Sequence, residues 1–311
     1  MLIKSRKRGF TAIELMVVVA IIGVLVALMV PAVGGVRESA RRSQCQDNLH
    51  NVIIALHNYE GAHKGLPPGF IHQVPNHSNY GWQAMFLPYV EQKPLYDLIR
   101  PGNPGLADAL TNAKKAKALQ SKVEFLVCPS EKGAATNSHF VAFDSDDEPH
   151  ELALSSYVGN NGSDLIPREW STKDHRLHVR PPKGIFGPNV STRFGSITDG
   201  TSNTIGVGER TWTLKNGKDV NKCGAAIYAG VIGDGKVINQ RAILGSSAFG
   251  VNSVKGDEKT VHCESGISSA HPGGAQVGVL DGKVSFLSEE INQELLDNLF
   301  VKDDGNAAYL P

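Results

Sequence analysis

A histidine and an aspartate near the C-terminus are residue types that could do hydrolytic chemistry. Nine residues separate His271 from Asp281, and Ser268 and Ser269 stand nearby as possible nucleophiles. A catalytic base must be oriented by a third group and lie within hydrogen-bond reach of the nucleophile. However, Asp281 and Gly282 lie between two apolar runs, where an aspartate bonds the backbone amides of its own tight turn. We therefore interpret His271, Asp281 and Gly282 as a structural motif and expect no catalytic residue and no enzyme.

An acidic cluster in the middle of the chain could do a different chemistry, the binding of calcium. Its four carboxylates fall within five residues: Asp144, Asp146, Asp147 and Glu148. Calcium prefers oxygen ligands of this kind, but the cluster lacks the glycine and the spacing of an EF-hand loop. A solvated loop is the main interpretation, calcium is a weak alternative, and no cofactor is expected.

The four cysteines could form two disulfides in an oxidising compartment. They are Cys45, Cys128, Cys223 and Cys263, which lie far apart and include no C-x-x-C pair, so a zinc site is disfavoured. Spacing alone does not separate the three possible connectivities. Cys45 falls on the apolar stripe of a predicted helix, where the segment that ends at Cys128 could reach it. We favour Cys45–Cys128 and Cys223–Cys263, with buried free thiols as the alternative.

Glu14 is the only charged residue in the apolar run 10–36, and a basic segment that ends at Gly9 precedes this run. A carboxylate near the bilayer interior costs about 2.5–3.5 kcal/mol, so it requires a partner. Cleavage between Gly9 and Phe10 would create a suitable α-ammonium group, on this subunit or on a neighbouring one. The run is too long for a cleaved signal peptide and reaches the ~20 residues that span a bilayer. An ordinary signal anchor fits its length and the positive-inside bias.

The elements that position these residues can also be predicted. Residues 37–63 form an amphipathic helix whose apolar stripe consists of Cys45, Leu49, Val52, Ile53, Leu56 and Tyr59. Glycines and prolines at 65–69 end this helix. Residues 81–99 and 106–122 indicate further helices, the second of them exposed, and 288–300 a last one. Asn-Gly and Asp-Gly pairs between apolar runs, at 216, 234 and 281, predict β-hairpins.

The fold class predicted is α+β, with a long N-terminal transmembrane and amphipathic helix packed on a β-rich globular domain. We divide the chain into a leader (1–9), a membrane helix (10–36), its amphipathic continuation (37–64) and an extracytoplasmic β-rich domain (65–311). The leader carries four of the 31 basic side chains, which leaves 27 against 31 acidic ones. That balance, near −4, provides no basic face for nucleic acid.

Several strings in the chain carry a resemblance to known families. Gly9-Phe10-Thr11-Ala12-Ile13-Glu14 resembles the type IV prepilin signature. The helix string from Ala40 to Leu49, Cys128-Pro129-Ser130, the string from Ile197 to Thr204, and the spacing of His271 from Asp281-Gly282 resemble the bacterial family of prepilin-like proteins of unknown function 1559. Asp47-Asn48 departs from the asparagine pair that is usual after the cysteine.

The resemblance implies a pilin-like domain and a pseudopilin-like subunit without enzymatic activity. Its partners would be a prepilin peptidase, which cuts after Gly9 and methylates Phe10, the bacterial inner membrane, and other pilin-like subunits. Glu14 would then act in processing and assembly. The single-pass protein would place its C-terminal domain in the periplasm, on the cell surface or in a type II secretion or type IV pilus-like filament. The alternative is a membrane-anchored module that binds a solute or carbohydrate.

Overall fold

The computed structural model describes residues 10–71, 77–164, 166, 182–216, 219–234, 238–254, 262–306 and 308–310. The leader 1–9 and the prediction for it lie outside these residues. The six α-helices in the described part are α1 (Ala12–His63), α2 (Trp82–Met85), α3 (Lys93–Ile99), α4 (Leu106–Leu110), α5 (Ala113–Leu119) and α6 (Gln293–Phe300). The fold is α+β, a long N-terminal helix on a β-rich domain, as predicted.

Thirteen strands lie in the same described part of the chain. They are β1 (His77–Tyr80), β2 (Thr136–Phe143), β3 (Pro149–Ser155), β4 (Tyr157–Asn160), β5 (Ile205–Glu209), β6 (Thr213–Asn216), β7 (Asp219–Lys222), β8 (Ala226–Ile227), β9 (Gly230–Asp234), β10 (Ile238–Asn239), β11 (Leu244–Gly245), β12 (Gly274–Val279) and β13 (Val284–Ser288). The central sheet has the order β11-β4-β5-β12-β13, in which only the β11–β4 pair is parallel. Smaller sheets, β1-β9-β10, β2-β3-β8 and the β6–β7 hairpin, complete the domain.

Helix α1 begins and ends with defined caps. The Thr11 hydroxyl accepts a hydrogen bond from the Glu14 amide, and the Glu14 carboxylate accepts one from the Thr11 amide at 2.8 Å, which together form a capping box. At the other end Lys64 adopts a left-handed conformation with φ 62°, directly before the predicted glycine-proline break. The helix is therefore set by local signals at both ends.

The two halves of α1 have different surroundings. The apolar side chains before residue 30 are exposed, whereas Cys45, Leu49, Val52, Ile53 and Leu56 are fully buried. This buried stripe is the one that the residue spacing predicts, and it packs against β5, β12 and β13.

Glycine in the sheet allows α1 to approach closely. A Cβ atom at Gly278 of β12 would lie 2.7 Å from Cγ1 of Ile53, which is closer than real contacts allow. The missing side chain thus provides the space that Ile53 occupies, since any larger residue would push the helix away from the sheet.

The three predicted hairpins are present. Strands β6 and β7, β9 and β10, and β12 and β13 pair antiparallel. Gly282 has φ 102°, the left-handed conformation that the tight turn after β12 requires. The turn residues 217–218 and 235–237 of the other two hairpins lie outside the described residues.

The prediction of one exposed helix over 106–122 is wrong. The structure has two short helices there, α4 and α5, because Asn112 caps a new helix by accepting bonds from the amides of Lys114 and Lys115. Leu110 and Leu119 are buried in the main core, so this region packs on the domain. Residues 81–99 are likewise divided, because a 3₁₀ turn at Leu87–Val90 separates α2 from α3.

Two disulfides join these elements, with the predicted pairing. Cys45–Cys128 links α1 to the segment that follows the 3₁₀ turn Glu124–Leu126, and Cys223–Cys263 lies elsewhere in the domain. The first disulfide therefore ties the long helix to the domain across 83 residues of sequence.

Candidate functional site

The side chain of His271 lies where α1 meets the start of β12. Its ring is fully buried, and its Nδ1 lies 2.7 Å from the Glu38 carboxylate on α1. With a proton on Nδ1, the ring donates to this carboxylate, which accepts. The contact joins residues 233 positions apart and fixes the orientation of the ring.

The other ring nitrogen of His271 faces a disulfide sulfur and a second carboxylate. Its Nε2 lies 3.4 Å from Cys128 Sγ and 3.7 Å from Glu209 Oε1. Ligand atoms of Cys45, Cys128, Glu209 and His271 all lie within 4.8 Å of one another, and all four residues are buried. Four elements meet at this point: α1, the segment after Leu126, the end of β5 and the start of β12.

Glu209 is the least satisfied member of this cluster. Its Oε2 accepts a hydrogen bond from the Gln276 amide at 2.9 Å, but its buried Oε1 has no hydrogen-bond partner. Burial raises the pKa of the Glu209 carboxyl, and the nearby His271 opposes this shift. An unpaired buried carboxylate oxygen is costly, so it suggests a missing partner.

Glu38 has the opposite environment, because several donors surround its carboxylate. Arg41 Nη2 approaches at 2.6 Å, and the Ser130 hydroxyl lies within 3.4 Å. Partial burial opposes ionisation, but the hydrogen bonds from His271 and Arg41 outweigh it and lower the pKa of Glu38. Glu38 is therefore a charged anchor for the His271 ring.

The buried Arg210 binds backbone carbonyls of the segments near the cluster. Its guanidinium donates to the carbonyls of Gly266 at 3.1 Å, of Leu244 at 2.8 Å and of Arg241. Burial lowers its pKa to about 9. These bonds hold the segment that leads to His271 against the central sheet.

The far end of the β12–β13 hairpin contacts α1 through two other histidines. His50 Nδ1 lies 2.8 Å from the Gly282 carbonyl, and His57 Nε2 lies 2.7 Å from the Leu280 carbonyl. The Asp281 carboxylate accepts a bond from the Lys283 amide in its own turn. His271 and Asp281 thus lie at opposite ends of β12, and the structure does not bring them together.

The serines next to His271 do not complete a catalytic arrangement in the described geometry. Ser269 Oγ accepts a bond from the His271 amide, and Ser268 Oγ accepts one from the Thr211 amide. The contacts of His271 Nε2 described above are to a disulfide sulfur and to a carboxylate, neither of which is a hydroxyl nucleophile.

The acidic cluster forms the turn between β2 and β3. Oδ1 of Asp144 accepts bonds from the Asp146 and Glu148 amides, and its Oδ2 lies 2.9 Å from His150 Nε2. Burial opposes ionisation of Asp144, but the bonds from His150 and the two amides prevail and lower its pKa. A calcium ion there would have to displace these contacts, so calcium stays a weak prediction.

Sequence reasoning did not predict the roles of Glu38, Arg210 and Glu209. The signal for Glu209 was a charged pair, Glu209-Arg210, directly after the uncharged run 205–208, which the structure buries. Glu38 has no distinguishing local pattern, because its partner His271 is far away in the sequence.

A cleft with a mixed polar and apolar lining opens beside this cluster. It has a volume of about 670 Å³, and its lining includes Glu131, Asn252, Ser269, His271 and Glu289. It is of the size that a small ligand requires.

The chain is similar to a known N-terminal motif and to known bacterial proteins. Residues 4–30 match the prokaryotic N-terminal methylation motif. Type II secretion system core protein G of Escherichia coli (strain K12) is 30% identical over 124 residues, which cover 34% of this chain and 81% of that protein. The protein of the same name from Klebsiella pneumoniae is 34% identical over 115 residues, covering 33% and 82%.

No solved structure matches this chain. A family model described as "Protein of unknown function (DUF1559)" matches residues 35–294. The match spans most of the chain, from the base of the amphipathic half of α1 to the start of α6. The chain belongs to this family and carries an N-terminal methylation motif.

Proposed function

We propose that this chain is a non-enzymatic, pseudopilin-like subunit of the bacterial inner membrane. A prepilin peptidase cuts between Gly9 and Phe10 and methylates Phe10, and the subunit then assembles with other pilin-like subunits into a type II secretion or pilus-like filament. The observation that carries this proposal is the exposed apolar half of α1, which lies within the segment that matches the methylation motif. It is long and apolar enough to cross a membrane, and none of its most apolar window is buried in the chain itself.

Glu14 has a place in both processing and assembly. In the chain described, its carboxylate accepts hydrogen bonds only from Thr11, at 2.8 Å and 2.7 Å. Both bonds are exposed, so the carboxylate is accessible to a further donor. A free Phe10 ammonium on a neighbouring subunit would supply that donor and would neutralise the charge in lipid.

His271 acts as a structural residue in this proposal. Its bond to Glu38 and the bonds of His50 and His57 to the opposite turn fasten the β12–β13 hairpin along α1. Forces on the membrane half of the helix are thereby transmitted to the domain, which a filament subunit requires.

The test is expression of the full chain in a bacterial host with and without a prepilin peptidase. Intact mass of the membrane-extracted protein should show loss of residues 1–9 and addition of one methyl group only in the host with the peptidase. A Gly9→Leu variant should remain uncleaved, and Ala12→Gly is the control that leaves the cleavage site intact. Equal masses in both hosts would contradict the proposal.

Assembly needs a separate measurement. Glu14→Gln removes the charge at constant size, so we expect cleaved and folded protein that fails to join filaments. Val18→Ala, in the same exposed segment, is the matched control. Filament recovery in the Glu14→Gln variant equal to that of the control would argue against a role of this carboxylate in assembly.

The second candidate is a membrane-anchored module that binds a solute or carbohydrate. The cleft of about 670 Å³ beside His271, with its mixed polar and apolar lining, favours it. A glycan-array signal that Asn252→Ala and Glu289→Ala both abolish, with protein that never enters filaments, would favour this function over the first.

A further inference from the structure

We propose that Cys45, Cys128, His271 and Glu209 bind a zinc ion when the two cysteines are reduced, before the disulfide forms. The sequence argued against zinc because no two cysteines are close in the chain, but the fold brings four ligand side chains of three types together. The inference does not depend on filament assembly.

Two of the distances in this group already match the spacing of ligands on a tetrahedral ion. Zinc bonds of about 2.0–2.3 Å place ligand atoms about 3.3–3.8 Å apart. His271 Nε2 lies 3.4 Å from Cys128 Sγ and 3.7 Å from Glu209 Oε1. Reduction releases the two sulfurs from their mutual bond, so that they can separate to the same spacing.

The unpaired oxygen of Glu209 is the independent sign of a ligand. Its Oε1 is buried, has no hydrogen-bond partner and is directed towards His271 Nε2. A cation between these two atoms would satisfy both. Two thiolates, one carboxylate and one neutral imidazole carry the same formal charge as the Cys₃His set that is common in structural zinc sites.

The contact with Glu38 orients His271 for metal binding. A histidine that binds a metal usually donates its other ring N–H to a carboxylate, which fixes the ring and the tautomer. The 2.7 Å contact between His271 Nδ1 and Glu38 has this geometry and leaves Nε2 free to bind the ion. Before the disulfide forms, the ion would join α1 and the segment of Cys128 to Glu209 of β5 and to His271 before β12.

Conversion of the zinc-bound thiolates to the disulfide is a two-electron oxidation. Zinc binding releases the two thiol protons of Cys45 and Cys128. A protein disulfide donor then oxidises the site, as one thiolate attacks the donor disulfide and the second displaces the donor thiolate from the mixed disulfide. Two electrons pass to the donor, and Zn²⁺ leaves because its two sulfur ligands are lost.

The other disulfide provides a matched comparison. Cys223 and Cys263 pack with Leu214 in a small apolar cluster. Among the residues that the structure describes, the group with suitable ligand spacing contains Cys45 and Cys128 but neither of these two cysteines. Reduction of the second pair should therefore create no comparable zinc site.

The experiment uses the full chain in detergent with Cys223→Ser and Cys263→Ser, reduced by a phosphine without oxygen. Titration with Co²⁺, the spectroscopic probe, should give one ion per chain with sulfur-to-cobalt charge-transfer and tetrahedral bands. Zn²⁺ should displace it, and oxidation should abolish the bands. The matched variant with Cys45→Ser and Cys128→Ser, but with Cys223 and Cys263 intact, should show none of these bands.

Conservative variants separate a ligand from a structural residue. Glu209→Gln should weaken Co²⁺ binding at least tenfold, and Glu38→Gln by about 10–100-fold. Circular dichroism and limited proteolysis of the metal-free variants should match those of the parent. Absence of the bands in the parent, equal affinity in folded Glu209→Gln, or equal binding by the second cysteine pair would each overturn the proposal.

Discussion

The two halves of α1 differ in how many apolar residues they carry and in how these residues are arranged. Before residue 30 apolar residues cover every side of the helix, and they are exposed in the chain, as Ile22 is at 53%. In the second half they are fewer and form one stripe, and Ile53 on that stripe is fully buried against the sheet. The difference teaches that the number of apolar residues and their arrangement around the helix together decide which surroundings each half requires.

Specific contacts with residues far away in the sequence fix the second half. Gly278 leaves space for Ile53, Cys45 forms a disulfide, and Glu38 binds His271. The first half has no comparable contacts within the described chain. Changes of the same type should therefore have unequal effects in the two halves.

The largest difference should appear when the two isoleucines are shortened. Ile53→Ala should reduce the free energy of unfolding of the domain by about 2–5 kcal/mol, because it leaves a cavity against β12. Ile22→Ala, the matched control, should leave that free energy unchanged. Urea unfolding of the full chain in detergent, followed by the domain's tryptophan fluorescence, measures both. Similar losses in the two variants would contradict the comparison.

Removal of the disulfide that joins α1 to the domain should cause the second-largest loss of unfolding free energy. Cys45→Ser with Cys128→Ser should cost about 2–4 kcal/mol of unfolding free energy, because the unfolded chain regains the freedom of a long loop. Chymotrypsin should then cleave near the junction of α1 and the domain earlier than in the parent. An unchanged denaturation midpoint would mean that this disulfide does not hold the helix.

Addition of one methyl group should destabilise the protein at Gly278, where α1 contacts the sheet, but not at Gly23 in the exposed half of α1. Gly278→Ala should cost about 1–3 kcal/mol, since its Cβ would clash with Ile53. Gly23→Ala is the control, because no atom lies within 4 Å of a Cβ added there. The same urea titration serves for both, and a neutral Gly278→Ala would show that helix and sheet can separate without cost.

The smallest effect should be the pH-dependent one at Glu38. Because its folded-state pKa lies below the ordinary value of 4.5, its contribution is full above that value and is lost as the pH falls through the lower folded pKa. Glu38→Gln should thus cost about 1 kcal/mol at neutral pH, allowing for partial exposure. The difference from the parent should shrink as the pH falls below 4.5 and vanish below the lowered pKa of folded Glu38. An equal difference at neutral and at acid pH would show that the charge of this carboxylate does not contribute to stability.

The opposite behaviour is expected at Glu209. Burial raises its folded-state pKa, so its ionisation destabilises the fold increasingly as the pH rises above the ordinary value. Glu209→Gln should relieve this effect at neutral pH without losing the bond from the Gln276 amide, which the new side-chain carbonyl can accept.

Local signals in the sequence predicted much of the fold. The buried stripe of α1 and the hairpins around 216, 234 and 281 depend on periodicity and turn residues, which neighbouring positions determine. The favoured disulfide pairing was also confirmed, but it needed a guess about which distant segment reaches the helix stripe. The division at Asn112 was missed because a capping asparagine competes with continuous helix, and tertiary burial of Leu110 and Leu119 decides between them.

The cluster around His271 could be predicted only in part. Sequence reasoning singled out His271, and the helix stripe brought Cys45 towards Cys128. The contacts to Glu38 and Glu209 depend on how α1, β5 and β12 meet, which no local pattern encodes. His271 and Asp281 lie beyond opposite ends of β12, and residues near both ends of this strand form hydrogen bonds with α1.

The central claim is that the exposed half of α1 begins, after processing, at a methylated Phe10. Intact-mass and N-terminal peptide analysis of the protein extracted from membranes that contain a prepilin peptidase tests it most directly. The account predicts a chain that lacks residues 1–9 and starts with N-methylated Phe10. A membrane-bound chain that still begins at Met1, or an unmethylated start at another residue, would contradict it.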